Sequence, residues 1–230
     1  MRYSLLILIL SSIYNYSFAQ FAIVNDQDGY VNIRGTKDLG ENIKEKLIND
    51  QFVYILESKD KWAYIFYMKN GAPAKNGFVY KDRLKVITEF QNIPNTELSE
   101  KEATFKKGNM EIVVSTKNFI REDHQYTYYK ENKEQIEYID SLPYHGTDGE
   151  YPYTEYADIT VSIGNRRIPV PGEALKNLFE VSLQDTKVHY DEAADTMYIQ
   201  SMNSDGAGAY EVIWRIVNGV FKDRYIASGF

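Results

Sequence analysis

The sequence predicts a mainly β protein in which a small barrel precedes a β-rich α+β domain with one short helix. Aromatic content is the first observation: the 230 residues include 20 tyrosines and 11 phenylalanines, and such side chains fit half-buried pleated surfaces. The second observation is a succession of short apolar runs separated by turn residues. The third is the pair Asn218-Gly219 between two β-branched and aromatic runs, which favours a type I′ hairpin.

Residues 1–19 have the features of a signal peptide. Arg2 gives a positive start, residues 5–10 (LLILIL) are too short an apolar run to span a bilayer, and residues 17–19 (SFA) form a small-x-small cleavage site. The mature chain is therefore expected to start at Gln20 and to be periplasmic or secreted in a bacterium. A retained membrane anchor is the alternative, but the apolar run breaks after residue 10.

Composition excludes several classes of function. The chain has no cysteine, so it has neither disulfides nor a thiol nucleophile. Its formal net charge is −7 and becomes −8 when the leader is removed with its single Arg and no acid. Nucleic acid is not an expected partner, because polyanion binding draws on a basic surface and the basic residues here are scattered among more numerous acids.

Seven short strands are predicted in residues 20–87, and their close, regular spacing is typical of a small barrel. A polar segment, residues 35–42, separates the second strand from the third. The predicted strands cover residues 21–25, 30–34, 43–47, 52–57, 62–68, 77–80 and 84–87.

Three motifs of this half occur in the order found in the bacterial SH3-like domain family. They are residues 29–34 (GYVNIR), 62–65 (WAYI) and 77–79 (GFV). The half therefore resembles this family over nearly its whole length. The family often has Ser-Gly-Pro after the arginine and a Lys-Gly turn before the third strand, whereas this chain has residues 35–37 (GTK) and 49–50 (ND). All of these residues suit turns, so the departures leave the fold prediction intact and weaken any prediction of loop-borne specificity.

The resemblance implies a ligand groove lined by aromatic side chains and by the long loop after the second strand. Its candidates by position are Tyr30, Trp62, Tyr64 and Tyr80, although Trp62 also suits a core position. We interpret Asn32 and Arg34 as structural residues that tie the loop to the strand by hydrogen bonds, with direct ligand contact as the alternative.

Residues 88–109 are predicted as a linker, because they combine many charges with no sustained apolar period, and a short helix can start near residues 95–100. Residues 110–230 are predicted as the second domain. Its one helix covers residues 171–179, with a proline and a glutamate in the first turn. Its strands cover residues 110–116, 125–129, 135–139, 157–163, 166–170, 187–190, 197–200, 210–217 and 220–227.

Two Asp-Gly loops stand out in the second domain, residues 145–150 (HGTDGE) and 203–208 (NSDGAG). Their pairing resembles a group of bacterial exported and immunity-like proteins without a known activity. We expect the loops to meet at one end of the sheet and to form a polar recognition site, in which carboxylates bind a sugar, a peptide amine or a basic residue. Its predicted residues are Asp148, Glu150, Tyr153, Asp205 and Tyr210. The alternative is that both aspartates only cap tight turns.

Catalytic and metal-binding patterns are absent from the sequence. The three histidines, His124, His145 and His189, have no paired spacing, and neither loop has the aspartate spacing of an EF-hand. No cofactor is expected. Glu150 and Glu155 have the chemistry for glycoside hydrolysis, but nothing prefers this pair over the other acids.

These features favour an exported, non-enzymatic binding protein. Its barrel is expected to contact cell-wall peptide or a protein partner, and its second domain to be a recognition module of the inhibitor or immunity type with a cationic envelope partner. The alternative is a cell-wall-associated hydrolase that uses carboxylates of the second domain. No membrane span is expected after the leader is cleaved.

Overall fold

The computed structural model describes residues 19–68 and 74–228, and antiparallel β-sheets dominate them. Apart from Ala19, the predicted signal peptide lies outside these ranges. Within them, no helix has the length and apolar character needed to cross a membrane.

The first seven strands form one antiparallel sheet. They are β1 (Gln20–Val24), β2 (Tyr30–Arg34), β3 (Ile43–Ile48), β4 (Phe52–Lys59), β5 (Trp62–Tyr67), β6 (Lys75–Tyr80) and β7 (Leu84–Val86). Their order across the sheet is β3-β2-β6-β5-β4-β1-β7. All seven strands were predicted at these places. The sheet is not closed among the described residues, because the edge strands β3 and β7 do not pair with each other.

One face of this sheet encloses the first hydrophobic core. Its buried members include Val31, Ile33, Ala63, Ile65 and Val79. Because successive residues of a strand point to opposite faces, the residues between these core positions form the outer face of the sheet.

The remaining strands form two five-stranded antiparallel sheets and one two-stranded pair. They are β8 (Gln91–Ile93), β9 (Asn95–Leu98), β10 (Glu102–Lys107), β11 (Met110–Asn118), β12 (Tyr126–Tyr128), β13 (Ile136–Ile139), β14 (Thr154–Ile163), β15 (Arg166–Pro169), β16 (Thr186–Asp191), β17 (Thr196–Asn203), β18 (Tyr210–Val217) and β19 (Val220–Ser228). The second sheet has the order β15-β14-β11-β10-β9, the third has β19-β18-β17-β16-β8, and β12 pairs with β13. One large core lies between the second and third sheets.

The segment predicted as a linker contains three of these strands. Strand β8 pairs with β16, and β9 and β10 lie in the second sheet. The helix predicted near residues 95–100 is wrong, because β9 occupies residues 95–98. All four side chains of β9 are exposed at a sheet edge, so the strand carries no apolar alternation from which it could be predicted.

The helix predicted over residues 171–179 is also wrong. Only Gly172–Ala174 form a 3₁₀ turn, and Asn177 has a φ of 59°, which ends any helical path. The carbonyl of Ala174 accepts hydrogen bonds from the Trp214 Nε1 and the Arg224 Nη1, at 2.8 and 3.0 Å. Side chains of the third sheet thus donate to a carbonyl that would accept a hydrogen bond from a backbone amide in a helix. So short a segment also gains little from helix propensity alone.

The outer face of β1 and β4 packs against the third sheet. The rings of Phe21 and Tyr225 lie 5.9 Å apart, and those of Phe52 and Tyr198 lie 6.1 Å apart. All four side chains belong to one buried cluster, which we call the junction core. The first and third sheets are therefore held together by a hydrophobic core of their own.

Candidate functional site

The two Asp-Gly loops lie against each other. The Ser204 hydroxyl donates to the carbonyl of Gly146 at 2.6 Å, and the amide of Gly146 donates to the carbonyl of Gly208 at 3.2 Å. The backbone of each loop therefore fixes the position of the other at one end of the third sheet, after β17.

Glycine is required where the loops touch. A Cβ on Gly208 would lie 2.7 Å from the carbonyl oxygen of Gly146 and 2.9 Å from the amide nitrogen of Thr147. Gly146 itself has a φ of 123°, a conformation that L side chains rarely adopt. The close contact between the loops thus depends on two glycines, Gly146 and Gly208.

The Gly208→Ala variant is expected to push the loops apart. The added methyl group meets backbone atoms rather than a flexible side chain, so we expect a loss of about 1–3 kcal/mol in the free energy of unfolding. Denaturant titration measures the loss. Gly172→Ala is the matched control, because a Cβ at Gly172 meets nothing within 4 Å. Equal stabilities of the two variants would contradict the close contact.

A cleft of about 910 Å³ opens between the loops and the segment after residue 179. Among the residues that the structure describes, no Lys, Arg or His side chain lines it. Its carboxylates are Asp148, Glu150, Glu180, Asp185 and Asp205. The cleft is therefore a concentrated region of negative charge in an already acidic protein.

Glu180 and Asp185 were not predicted as site residues. Glu180 is half-buried, burial raises the pKa of its carboxyl, and its Oε1 accepts a hydrogen bond from the amide of Tyr153 at 2.6 Å. Asp185 accepts a hydrogen bond from the Ser182 hydroxyl at 2.6 Å. Neither residue belongs to a motif, so no signal in the sequence connects them with the loops.

The carboxylates of Asp148 and Asp205 do not act as turn caps in the described structure. No hydrogen bond or ion pair to either side chain occurs among residues 19–68 and 74–228, and both residues are exposed. By contrast, the Thr147 hydroxyl donates to the carbonyl of Glu150 at 2.7 Å and helps to shape the first loop. The two aspartates are thus available to a ligand or partner.

The two predicted tyrosine anchors differ in exposure. Tyr153 is 79% exposed at the rim of the cleft. Tyr210 is fully buried, and its hydroxyl donates to the carbonyl of Phe179 at 2.9 Å. Tyr210 therefore supports the site from beneath and is not accessible to a partner.

Tyr151, which lines the cleft, belongs to a cluster of tyrosines. The hydroxyls of Tyr128 and Tyr151 are 2.7 Å apart, and the guanidinium of Arg121 lies 4.0 Å from the ring centroid of Tyr151. The rings of Tyr126 and Tyr151 meet edge to face at 5.0 Å. Strand β12 thus packs its tyrosines against Tyr151 at the edge of the acidic cleft.

Asn203 anchors the second loop from below. It is fully buried, and its Oδ1 accepts hydrogen bonds from the Ser182 amide at 2.9 Å and the Ser201 hydroxyl at 3.1 Å. Its Nδ2 donates to the Tyr156 hydroxyl at 3.0 Å. A buried amide with all these partners holds the end of β17 in one position.

The aromatic residues predicted in the first half lie on the outer face of the first sheet. Trp62 stacks on Tyr80 at 4.2 Å, and Tyr64 contacts Phe78 at 5.0 Å. Trp62 is only 5% exposed, whereas Tyr64, Phe78 and Tyr80 are half-buried. We call these four residues the aromatic face. Tyr30 shares this side of the sheet, and the ammonium of Lys46 lies 4.1 Å from its ring centroid.

Arg34 ties the long loop to β2, as predicted. Its Nη1 donates to the carbonyl of Gly40 at 3.2 Å and to the Oδ1 of Asn42 at 3.1 Å. Asn32 does not repeat this arrangement, because its Oδ1 is buried and has no hydrogen-bond partner within residues 19–68 and 74–228.

The three histidines lie in separate environments. His124 binds Asp140 through Nδ1 at 2.7 Å, and burial lowers the pKa of both His145 and His189. The part of the chain that the structure describes contains no group of three or more His, Asp or Glu side chains arranged to hold a metal ion.

The two glutamates considered for hydrolysis do not share the cleft. Glu150 lines it, whereas Glu155 lies outside the lining and pairs with Lys117 at 3.2 Å.

Comparisons with known proteins give no family for the chain. No family model matches it, and neither the curated proteins nor the solved structures contain a match.

Proposed function

We propose that this protein is a non-enzymatic binding protein of the bacterial envelope whose acidic cleft recognises a basic segment of a partner protein. The observation that carries the proposal is the cleft formed where the two Asp-Gly loops meet. It has the size of a binding site and presents two carboxylates, those of Asp148 and Asp205, that make no hydrogen bond or ion pair with the described residues.

Charge favours a cationic occupant. In the described part of the chain, five carboxylates and no basic side chain line the cleft, so a Lys or Arg side chain that enters it gains charge-assisted hydrogen bonds. The acidic field also speeds the approach of a basic partner, and this effect falls as salt rises.

Tyr153 supplies an aromatic contact beside the carboxylates. At 79% exposure it stands free at the rim of the cleft. Interfaces concentrate binding energy on Tyr, Trp and Arg, and an exposed tyrosine ring can also bind a cation over its face. An inhibitor or immunity type of module, which binds a basic toxin or wall hydrolase, fits this combination.

The first half is proposed to act as an SH3-like domain that contacts cell-wall peptide or a protein partner. Its three family-like motifs and the half-buried rings of the aromatic face support this role. The predicted signal peptide supports a periplasmic or secreted location.

The double variant Asp148→Asn with Asp205→Asn tests the cleft. It removes two charges but no hydrogen bond within the described structure, so we expect the thermal midpoint to stay within about 2 °C and partner affinity to fall at least about tenfold. The partner is first identified by co-purification from the native envelope, and the affinity of the purified pair is then measured at two salt concentrations.

Glu131→Gln with Glu134→Gln is the matched control. Both glutamates are exposed on the loop between β12 and β13 and do not line the cleft. The control removes the same charge and is expected to keep full affinity. Equal losses in the two double variants would refute recognition by the cleft, and release of soluble fragments from purified cell wall would favour the hydrolase alternative.

A further inference from the structure

The acidity of the protein is confined to one part of the chain. Residues 20–87 contain eleven Lys and Arg against nine Asp and Glu, whereas residues 88–230 contain fourteen against twenty-four. The first sheet is thus built from a slightly basic segment, although the protein as a whole is acidic. A surface on this segment can attract an anion that the acidic cleft repels.

Basic side chains gather over the aromatic face. The Nζ of Lys37 lies 5.2 Å from the ring centroid of Phe78, and the Nζ of Lys61 lies 5.2 Å from that of Tyr80. The guanidinium of Arg83 lies 5.5 Å from the same Tyr80 ring. Cations on both sides of the face therefore surround half-buried rings.

Two of these cations have no carboxylate partner. Arg83 pairs with Asp26 at 3.3 Å, but Lys37 and Lys61 form no ion pair with any residue in the ranges that the structure describes. An ammonium group that lies over an aromatic ring and forms no ion pair can still bind a carboxylate. The aromatic face is therefore complementary to a ligand with negative charges.

The aromatic face continues a surface that is already an interface. Phe66 lies on the same side of β5 as Tyr64 and packs against the junction core. Among the described residues, the third sheet thus covers one part of the outer face and leaves uncovered the part around Tyr64 and Phe78, which are half-buried. A ligand bound to the uncovered part continues the hydrophobic packing of the junction core along the outer face of the first sheet.

Spacing favours a peptide as the occupant. Trp62 pairs with Tyr80 and Tyr64 pairs with Phe78 in the register of β5 and β6. The two pairs are two residues apart, which corresponds to about 6.5–7 Å along the strands. Alternate side chains of an extended peptide have the same spacing, so one can contact Tyr80, the half-buried ring of the first pair, while the next contacts Tyr64 and Phe78.

We propose that the aromatic face binds an extended acidic peptide, with apolar side chains against the rings and carboxylates at Lys37 and Lys61. This inference rests on the role proposed above for the first half and names the chemistry of its ligand. It is independent of the cleft, which lies on another sheet and has the opposite charge.

The test uses a fluorescent eight-residue peptide of alternating glutamate and valine and the full chain, with fluorescence anisotropy as the readout. We expect saturable binding that weakens several-fold between about 0.05 and 0.5 M salt. Lys37→Glu with Lys61→Glu is expected to weaken binding at least about tenfold, because it replaces two attractions by two repulsions. The milder pair Lys37→Gln with Lys61→Gln keeps the test valid if the charge reversal disturbs folding, and we expect it to weaken binding about threefold.

Lys130→Glu with Lys133→Glu is the matched control, since these lysines are exposed on the loop between β12 and β13 and the change in net charge is the same. Unchanged affinity in this control supports the proposal. Equal loss in both double variants, or no saturable binding at low salt, overturns it. Stronger competition by the polysaccharide polygalacturonate than by the unlabelled peptide also overturns the assignment to a peptide.

The cleft variant Asp148→Asn with Asp205→Asn separates the two proposals. It is expected to bind the acidic peptide like the unchanged protein. If the cleft variant keeps full affinity for its partner, the function proposed for the cleft is refuted, and unchanged peptide binding by the same variant leaves the inference on the aromatic face standing.

Discussion

The Trp214→Ala variant is expected to lose about 3–5 kcal/mol of the free energy of unfolding. Trp214 is fully buried between the second and third sheets, where its ring meets that of Tyr156 edge to face at 5.1 Å. Truncation removes the largest fully buried side chain described and leaves a cavity in the core beneath the site. Urea titration of the full chain, followed by circular dichroism, measures the change.

Trp214→Phe separates the volume of the ring from its hydrogen bond. Phenylalanine keeps much of the buried area but cannot donate to the carbonyl of Ala174, which the Trp214 Nε1 contacts at 2.8 Å. That carbonyl retains the Arg224 donor at 3.0 Å, so we expect a smaller loss, of about 1–2 kcal/mol. Equal losses of stability in Trp214→Ala and Trp214→Phe would show that the cavity is not the main cause of the loss in Trp214→Ala.

Strands with one buried face were the part of the fold that the sequence predicted well. In β2 the residues alternate between half-buried and buried, and the structure has the same ends, Tyr30–Arg34, as the prediction. The hairpin at residues 218–219 was also correct: Asn218 and Gly219 have φ values of 50° and 66°, as a type I′ turn requires. In both places, local chemistry and tertiary packing favour the same conformation.

Predictions failed where long-range contacts determine the backbone. The apolar residues of the segment 171–179 suggested one face of a helix, and several of them are buried. Their backbone forms isolated bridges instead of helical hydrogen bonds, because Leu178 pairs with His145 and Phe179 pairs with Glu155. A single sequence cannot show that partners about 25 to 35 residues away replace the helical hydrogen bonds.

The candidate site was predicted in part. The Asp-Gly motifs indicated both loops, and the structure brings them together. Glu180 and Asp185 were missed because only the folding of the chain after residue 179 brings them to the cleft. Tyr210 was expected at the surface, yet strand alternation places it inward, next to the buried Asn203 across β17 and β18.

Arg215 connects the first and third sheets. It lies on β18 between two core residues, so it points away from the large core and toward the first sheet. Its Nη1 donates to the carbonyl of Asp50 at 2.6 Å, and its guanidinium lies 4.4 Å from the ring centroid of Phe52. Its Nε donates to Asp223 at 2.9 Å, in a two-bond contact with that carboxylate.

The Arg215→Met variant is expected to lose about 2–4 kcal/mol of the free energy of unfolding. Methionine keeps much of the buried apolar stem but removes every hydrogen bond to Asp223 and to the carbonyl of Asp50. Asp223 remains 40% exposed and can be hydrated, so the loss stays below that for a fully buried carboxylate. Denaturant titration measures the loss, and limited proteolysis shows whether the first sheet separates from the third.

Arg215→Lys distinguishes geometry from charge. A lysine keeps the positive charge but cannot bind the Asp223 carboxylate through two parallel bonds while it also reaches the carbonyl of Asp50. We expect it to recover less than half of the stability lost in Arg215→Met. Full recovery would show that the positive charge of Arg215, and not its two-bond geometry, accounts for its contribution to stability. If the free energy of unfolding of Arg215→Met is within about 0.5 kcal/mol of that of the unchanged protein, the junction core suffices to hold the two sheets together. In that case the cost of burying the guanidinium offsets the free energy of its hydrogen bonds.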